Sequence, residues 1–142
     1  MAAIDLNTVR STIESRLNLE LSSSSPKIPV VFNNMPYTPT LGQSWVQCLI
    51  TFGSNEYLSM GGTSDSDNRV VGVMTLNIYT ASGIGSKDNY VIGKRIRDLY
   101  NRITVSGVYF DPPIGPEVVS SSSPAGFFQT QVRVTFETFE EL

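Results

Sequence analysis

The stretch that most constrains this chain is Lys27–Pro39, KIPVVFNNMPYTP. A short β-prone run, Ile28 to Phe32, leads into a tract that is neither helix nor paired strand. Pro36 and Pro39 lack amide donors and hold φ near about −65°. Each also pushes the residue before it toward an extended conformation. The chain is thereby stiffened and led across the surface of whatever Val30 and Phe32 pack into.

Periodicity sets the elements around this tract. Leu6, Val9, Ile13 and Leu17 fall on one helical face, so a helix is expected from about residue 6 to 18. Asp5 is its N-cap, with Ile4 and Val9 as a hydrophobic staple. Leu19 and Leu21 are expected to continue onto the core, before a solvated loop from Ser22 to Ser25 closed by Pro26. A second helix is expected over Asp88–Arg102, capped by Ser86 or nearby, with Ile92, Ile96, Leu99 and Ile103 as its apolar stripe. Strands are expected at Ile28–Phe32, Ser44–Phe52, Arg69–Thr80, Gly107–Phe110 and Phe127–Phe139, with Ile114–Val119 as a further edge strand. Val46, Cys48, Ile50 and Phe52 share one face of their strand, and Trp45, Gln47, Leu49 and Thr51 the other. The strand Arg69–Thr80 mixes Val71 and Val73 with Thr75, Asn77 and Tyr79 on one face. That mixture predicts a sheet covered by helices on one side and partly covered on the other. The expected fold is an α+β sandwich: a single mixed, largely antiparallel sheet flanked by two main helices, in one domain spanning residues 1–142.

Residues 53–68, GSNEYLSMGGTSDSDN, separate two of these strands. So long a connection is uncommon in a compact domain unless functional or disordered. It reads as a protruding β-arm turning at Gly61-Gly62, or as a plain loop; we expect the arm.

Charged residues make up 16% of the chain, where about 25% is usual. Depletion of charge marks the cores of interfaces, although a surface rich in Ser, Thr and Asn is an equal reading. The net charge of −3 argues against a dedicated nucleic-acid binder. No segment approaches the ~20 apolar residues needed to span a bilayer, and the N-terminal sequence does not read as a secretory signal. A soluble protein, made in a reducing cytoplasm or indifferent to redox state, is expected.

The chemistry is sparse. Histidine, the commonest general base and metal ligand, is absent. Cys48 is the single cysteine; it lies in an alternating apolar run and reads as a small buried hydrophobe. Gly83-x-Gly85 precedes a helix but completes neither dinucleotide nor P-loop pattern. Asp65 and Asp67 lack the downstream Gly and Glu of a calcium loop. No catalytic residue, cofactor or metal is expected. Lys94, Arg95, Arg97 and Arg102 form the one basic concentration. The default reading is a solvated helix face. A sharper one pairs them with Glu137, Glu140 and Glu141 of a neighbouring subunit, head to tail, as in ring-closing contacts.

The order of motifs carries a resemblance. Val9–Leu17 (VRSTIESRL) precedes the extended Val30–Pro39 (VVFNNMPYTP); Arg69–Val73 (RVVGV) and Tyr79–Gly85 (YTASGIG) follow. Then come Ile103–Val108 (ITVSGV) and Phe127–Phe136 (FFQTQVRVTF). Across nearly the whole chain this resembles the tail-terminator-like proteins of tailed bacteriophages, related to the lambda tail-end family. The resemblance implies a non-enzymatic virion protein with a mixed sheet flanked by helices. It would form a hexameric ring on the head-proximal end of the tail tube, stop tube polymerisation and dock the head connector. Implied partners are further copies of the chain, the tail tube protein, a head–tail connector or stopper, and the sheath protein where one is present. Implied locations are the virion neck and, during assembly, the host cytoplasm. Six copies at −3 each carry about −18, which opposes DNA sticking in the channel.

Other readings are a different neck component, such as a connector, stopper or tail completion protein, and, more remotely, a monomeric ligand-binding module with a pocket near Trp45, Tyr57 and Tyr79. For the structural reading the interface candidates are Glu56, Tyr57 and Arg69 at the long connection, and Pro36, Tyr37 and Pro39 in the proline tract. To these the charge-pairing hypothesis adds Lys94, Arg97, Glu140 and Glu141. For the proline tract, packing over its own sheet edge is the favoured alternative.

Overall fold

The computed structural model describes residues 5–23, 27–57, 67–119 and 125–141, and of residues 54–57, 67, 68, 140 and 141 the backbone alone. Two helices, α1 (Leu6–Ser22) and α2 (Lys87–Tyr100), accompany seven strands. The strands are β1 (Val30–Val31), β2 (Trp45–Tyr57), β3 (Asp67–Ala81), β4 (Thr104–Val105), β5 (Val108–Phe110), β6 (Ile114–Val119) and β7 (Phe127–Glu141). They form one sheet in the order β1-β2-β3-β7-β5-β4, with β6 also on β7. The β1–β2 pair is parallel and every other pair antiparallel. The expected α+β architecture with a mixed, largely antiparallel sheet is the one observed.

Asp5 caps α1: its carboxylate accepts from the Asn7 amide at 3.0 Å and the Thr8 hydroxyl at 3.1 Å. Such a cap contributes about 1 kcal/mol. Val9, Ile13, Leu17 and Leu21 are buried on one stripe. The helix runs on to Ser22, so Leu21 joins the core by continuing the stripe. Leu19, expected in the core, falls on the opposite side and is 74% exposed; Leu6 is exposed as well. The staple residue Ile4 and the loop residues Ser24–Pro26 lie outside the described residues. In α2 the stripe keeps Ile92, Ile96 and Tyr100, but the helix ends before Ile103. Ser86 is its N-cap by position, without a side-chain capping bond.

Both helices cover the same side of the sheet. Their stripes pack with Val46, Cys48, Met74, Leu76, Ile78, Val132, Val134 and Phe136 in one core, and Val30 and Phe32 lie against it. The Tyr100 hydroxyl donates to the Ile13 carbonyl at 2.8 Å, fastening the helices together. Asn89 pins the start of α2 to the sheet. Its amide nitrogen lies within bonding distance of the Ile78 and Phe128 carbonyls, at 3.2 and 3.3 Å. Its oxygen accepts from Thr80. Gly72 leaves room for the Phe136 ring, which a Cβ there would strike.

Two sequence expectations change. The connection over residues 53–68 is strand at both ends: β2 continues to Tyr57 and β3 begins at Asp67. A bulge between Phe52 and Asn55 inserts one residue, which breaks the alternation at the place where the sequence pattern stops. Residues 58–66, including the expected turn at Gly61-Gly62, lie outside the described residues. The two-residue β4 was not expected; Thr104–Val105 is too short to carry a period.

Candidate interaction surface

The helix-free side of the sheet begins with an aromatic cluster. Register sets Trp45 opposite Tyr79, and Tyr79 opposite Gln129. Trp45 stacks on Tyr79 at 4.2 Å and meets Phe127 edge-on at 6.0 Å. Tyr37 of the proline tract leans on Trp45 at 5.0 Å. The tract therefore packs over its own sheet edge through Tyr37, while Pro36 is exposed and Pro39 half-buried. The Trp45 indole N–H is buried and has no acceptor among the described residues. Burial raises the Tyr79 hydroxyl above its ordinary pKa.

Beside the aromatics runs a ladder of amides. Asn77 donates to Gln47 at 3.1 Å, and Gln129 and Gln131 each donate to the Asn77 oxygen at 3.0 Å. Further along, Arg69 pairs with Glu137 at 2.5 Å and Arg133 with Glu117 at 3.0 Å. Each charged residue on this side whose side chain is described thus has an opposite charge, and the surface between is amide, hydroxyl and aliphatic. Val73 is among its exposed members.

Of the predicted interface residues, Glu56 and Tyr57 sit at the end of β2, in register with Arg69 and Asn68. Glu140 and Glu141 end β7, in register with Asn68 and Asp67. The structure thereby gathers Glu56, Arg69, Glu137, Glu140 and Glu141 at one end of the β2-β3-β7 ladder. Tyr37 is at the other end. The proposed pocket near Trp45, Tyr57 and Tyr79 is split accordingly, because Trp45 and Tyr57 are opposite ends of one 13-residue strand.

The basic cluster divides. Lys94 pairs with Asp98 within α2 at 2.6 Å, and Arg95 reaches Glu20 of α1 at 3.2 Å. Arg97 and Arg102 are exposed and form no ion pair among the described residues. Tyr100, at the end of α2, packs on Phe110, which pairs with Phe136 of β7. The free cations and the acidic end of β7 thus occupy the same end of the molecule.

Cys48 is fully buried, and burial pushes its thiol up to about 12, so it stays protonated and shielded as the sequence predicts. No group of three or more potential metal-ligating side chains occurs among the described residues, and none of their helices is long and apolar enough to cross a membrane. A shallow groove of about 230 Å³ along α1, lined by Arg10, Glu14, Asn18 and Phe32 among others, is polar and open. The amide ladder is not visible in the sequence: Gln47, Asn77, Gln129 and Gln131 each take an outward strand position, but only register aligns them.

No family model and no curated protein matches the chain. Ten solved chains match it in structure. One, whose name carries no function, superposes with a TM-score of 0.67 at 15% identity, over 98% of this chain and 96% of that one. At that identity the likeness is one of fold, and the fold it shares is the α+β sandwich described above.

Proposed function

We propose that this chain is a structural virion protein that caps the head-proximal end of a phage tail tube as a ring. There it would end tail polymerisation and dock the tail to the head connector. The observation that carries the reading is the helix-free side of the sheet. Its few described charges are matched in pairs, and such scarcity of unpaired charge is a mark of interface cores. The motif order of the tail-terminator-like proteins supports it, as does the α+β fold that this resemblance implies.

Native mass measurement and electron microscopy of the purified protein, alone and with tail tubes, test the proposal. A ring, or a cap at one end of the tube, is the expected result. A monomer that leaves tubes uncapped and still elongating would overturn it. Binding to isolated head connectors without tube binding would move the assignment to a connector or stopper of the same neck.

A further inference from the structure

We infer that β2 of one copy pairs, edge to edge, with β6 of the next, so that the sheet continues from subunit to subunit. The inference rests on the ring reading and names the contact that would build it.

Along β2 the backbone groups alternate between β3 and the outer edge. Val46 donates outward to the Pro29 carbonyl at 3.0 Å, and Ile50 donates outward to the Asn33 side chain at 2.9 Å. Even-numbered residues therefore point outward before the bulge. The bulge shifts the register by one, so Asn55 and Tyr57 point outward after it. Among the described residues, flanking strand lies only beside Val46 and Gln47, where β1 pairs. Asn33 then stands in for a strand at Ile50, and Pro36 and Pro39 lie in the non-strand tract that follows. Phe52, Asn55 and Tyr57 are left with outward N–H and C=O groups and no described strand beyond them. The open stretch, Phe52–Tyr57, carries a single charge, Glu56. Natural edge strands are commonly protected by charge or cover.

The opposite edge offers the complement. β6 is six residues long and lies on the far side of β7, with β3 and β7 between it and β2. Val118 points its backbone outward, because its neighbours Glu117 and Val119 are the residues in register with the β7 positions that bond this way. Pro116 has no donor but keeps its carbonyl. β2 thus offers donors and acceptors in equal number, and β6 meets them with the N–H and C=O of Val118 and the carbonyl of Pro116. Ile114 and Val118 are 54% and 55% exposed, and an added strand would cover them. Glu117 is already matched by Arg133, so the approach brings no unpaired described charge to β6. Open edges on opposite sides of one sheet make the contact head-to-tail, the type that closes into rings. A strand added to a free edge gains affinity from main-chain bonds.

The test is hydrogen exchange and native mass on the full chain, assembled alone or on tail tubes. In the assembly the amides of residues 52–57 and Val118 should exchange at least about tenfold more slowly than in the dissociated protein. Asn55→Pro removes an outward donor that makes no bond within its own sheet. Val118→Lys puts a charge under the incoming strand at a site exposed in the monomer. Each should raise the concentration needed for assembly by about tenfold or more, with circular dichroism of the monomer unchanged for Val118→Lys. Assembly that forms normally with unprotected amides on both edges, or that tolerates Val118→Lys, overturns the strand pairing and leaves the ring standing. Failure of the wild-type chain to assemble under either condition overturns the ring reading and this inference with it.

Discussion

Single residues fix how closely the sheet and its cover approach. Gly72 is one such position. In most strands alanine is preferred to glycine, because glycine loses more freedom on folding. Here the added Cβ would strike the Phe136 ring and come within 2.9 Å of the Thr51 carbonyl. The sign should reverse, and Gly72→Ala should cost about 1–3 kcal/mol, seen as a lower urea midpoint with an unchanged slope. Tyr37 acts differently, by shielding. Trp45 is the one tryptophan, so its fluorescence reports this corner alone. Tyr37→Ala should shift the emission to longer wavelength and cost about 1–2 kcal/mol. Unaltered emission and acrylamide quenching would mean that Tyr37 does not shield the indole.

Between elements, a few polar side chains decide how helix and sheet dock. Asn89 is fully buried, and its amide serves Ile78, Phe128 and the Thr80 and Thr130 hydroxyls. Asn89→Ala would leave the Thr80 and Thr130 hydroxyls buried without this partner, while the Ile78 and Phe128 carbonyls keep their places in the β3–β7 ladder, at a cost of about 1–3 kcal/mol. Faster hydrogen exchange confined first to α2 is the expected signature. Sequence could not announce this residue, because an asparagine in an amphipathic helix reads as part of its wet face. What sequence could show were features with a period: the stripe Val9-Ile13-Leu17, the alternation of β7 and the apolar face of β2. It lost the pattern where the period broke. The bulge after Phe52 ended the visible alternation of β2 five residues before the strand ends at Tyr57. Hydrophobicity alone places Leu19 in the core, yet the helical period carries it to solvent. Placement of both helices on one side is a tertiary outcome. Each apolar stripe says that a helix is covered, without saying by which side of the sheet.

For the whole molecule, burial of ionisable groups sets the response to alkali. Cys48 titrates near 12 in the fold against an ordinary value of 9.0, and the Tyr100 hydroxyl is also raised by burial. Below the unfolded values both states are protonated and nothing is lost. Above about pH 9 the unfolded chain releases protons that the fold retains, so stability should fall as pH rises toward 12. Thiol reagents at neutral pH should therefore modify Cys48 only at the rate of unfolding.

Assembly depends instead on charges at the surface. Arg97 is exposed and has no described ion-pair partner, so Arg97→Glu should change monomer stability by less than about 0.5 kcal/mol. It lies at the same end of the molecule as Glu140 and Glu141, which restricts the expected inter-subunit pairing to copies whose ends stand side by side. If those charges meet, Arg97→Glu should weaken the oligomer most at low salt, since screening removes exposed pairs. Adding Glu140→Lys and Glu141→Lys to the same chain should restore it, because each copy then presents the exchanged signs. Native mass at two ionic strengths reads both effects. An oligomer indifferent to Arg97→Glu at low salt would show that backbone pairing and the neutral sheet surface hold the subunits without help from this end.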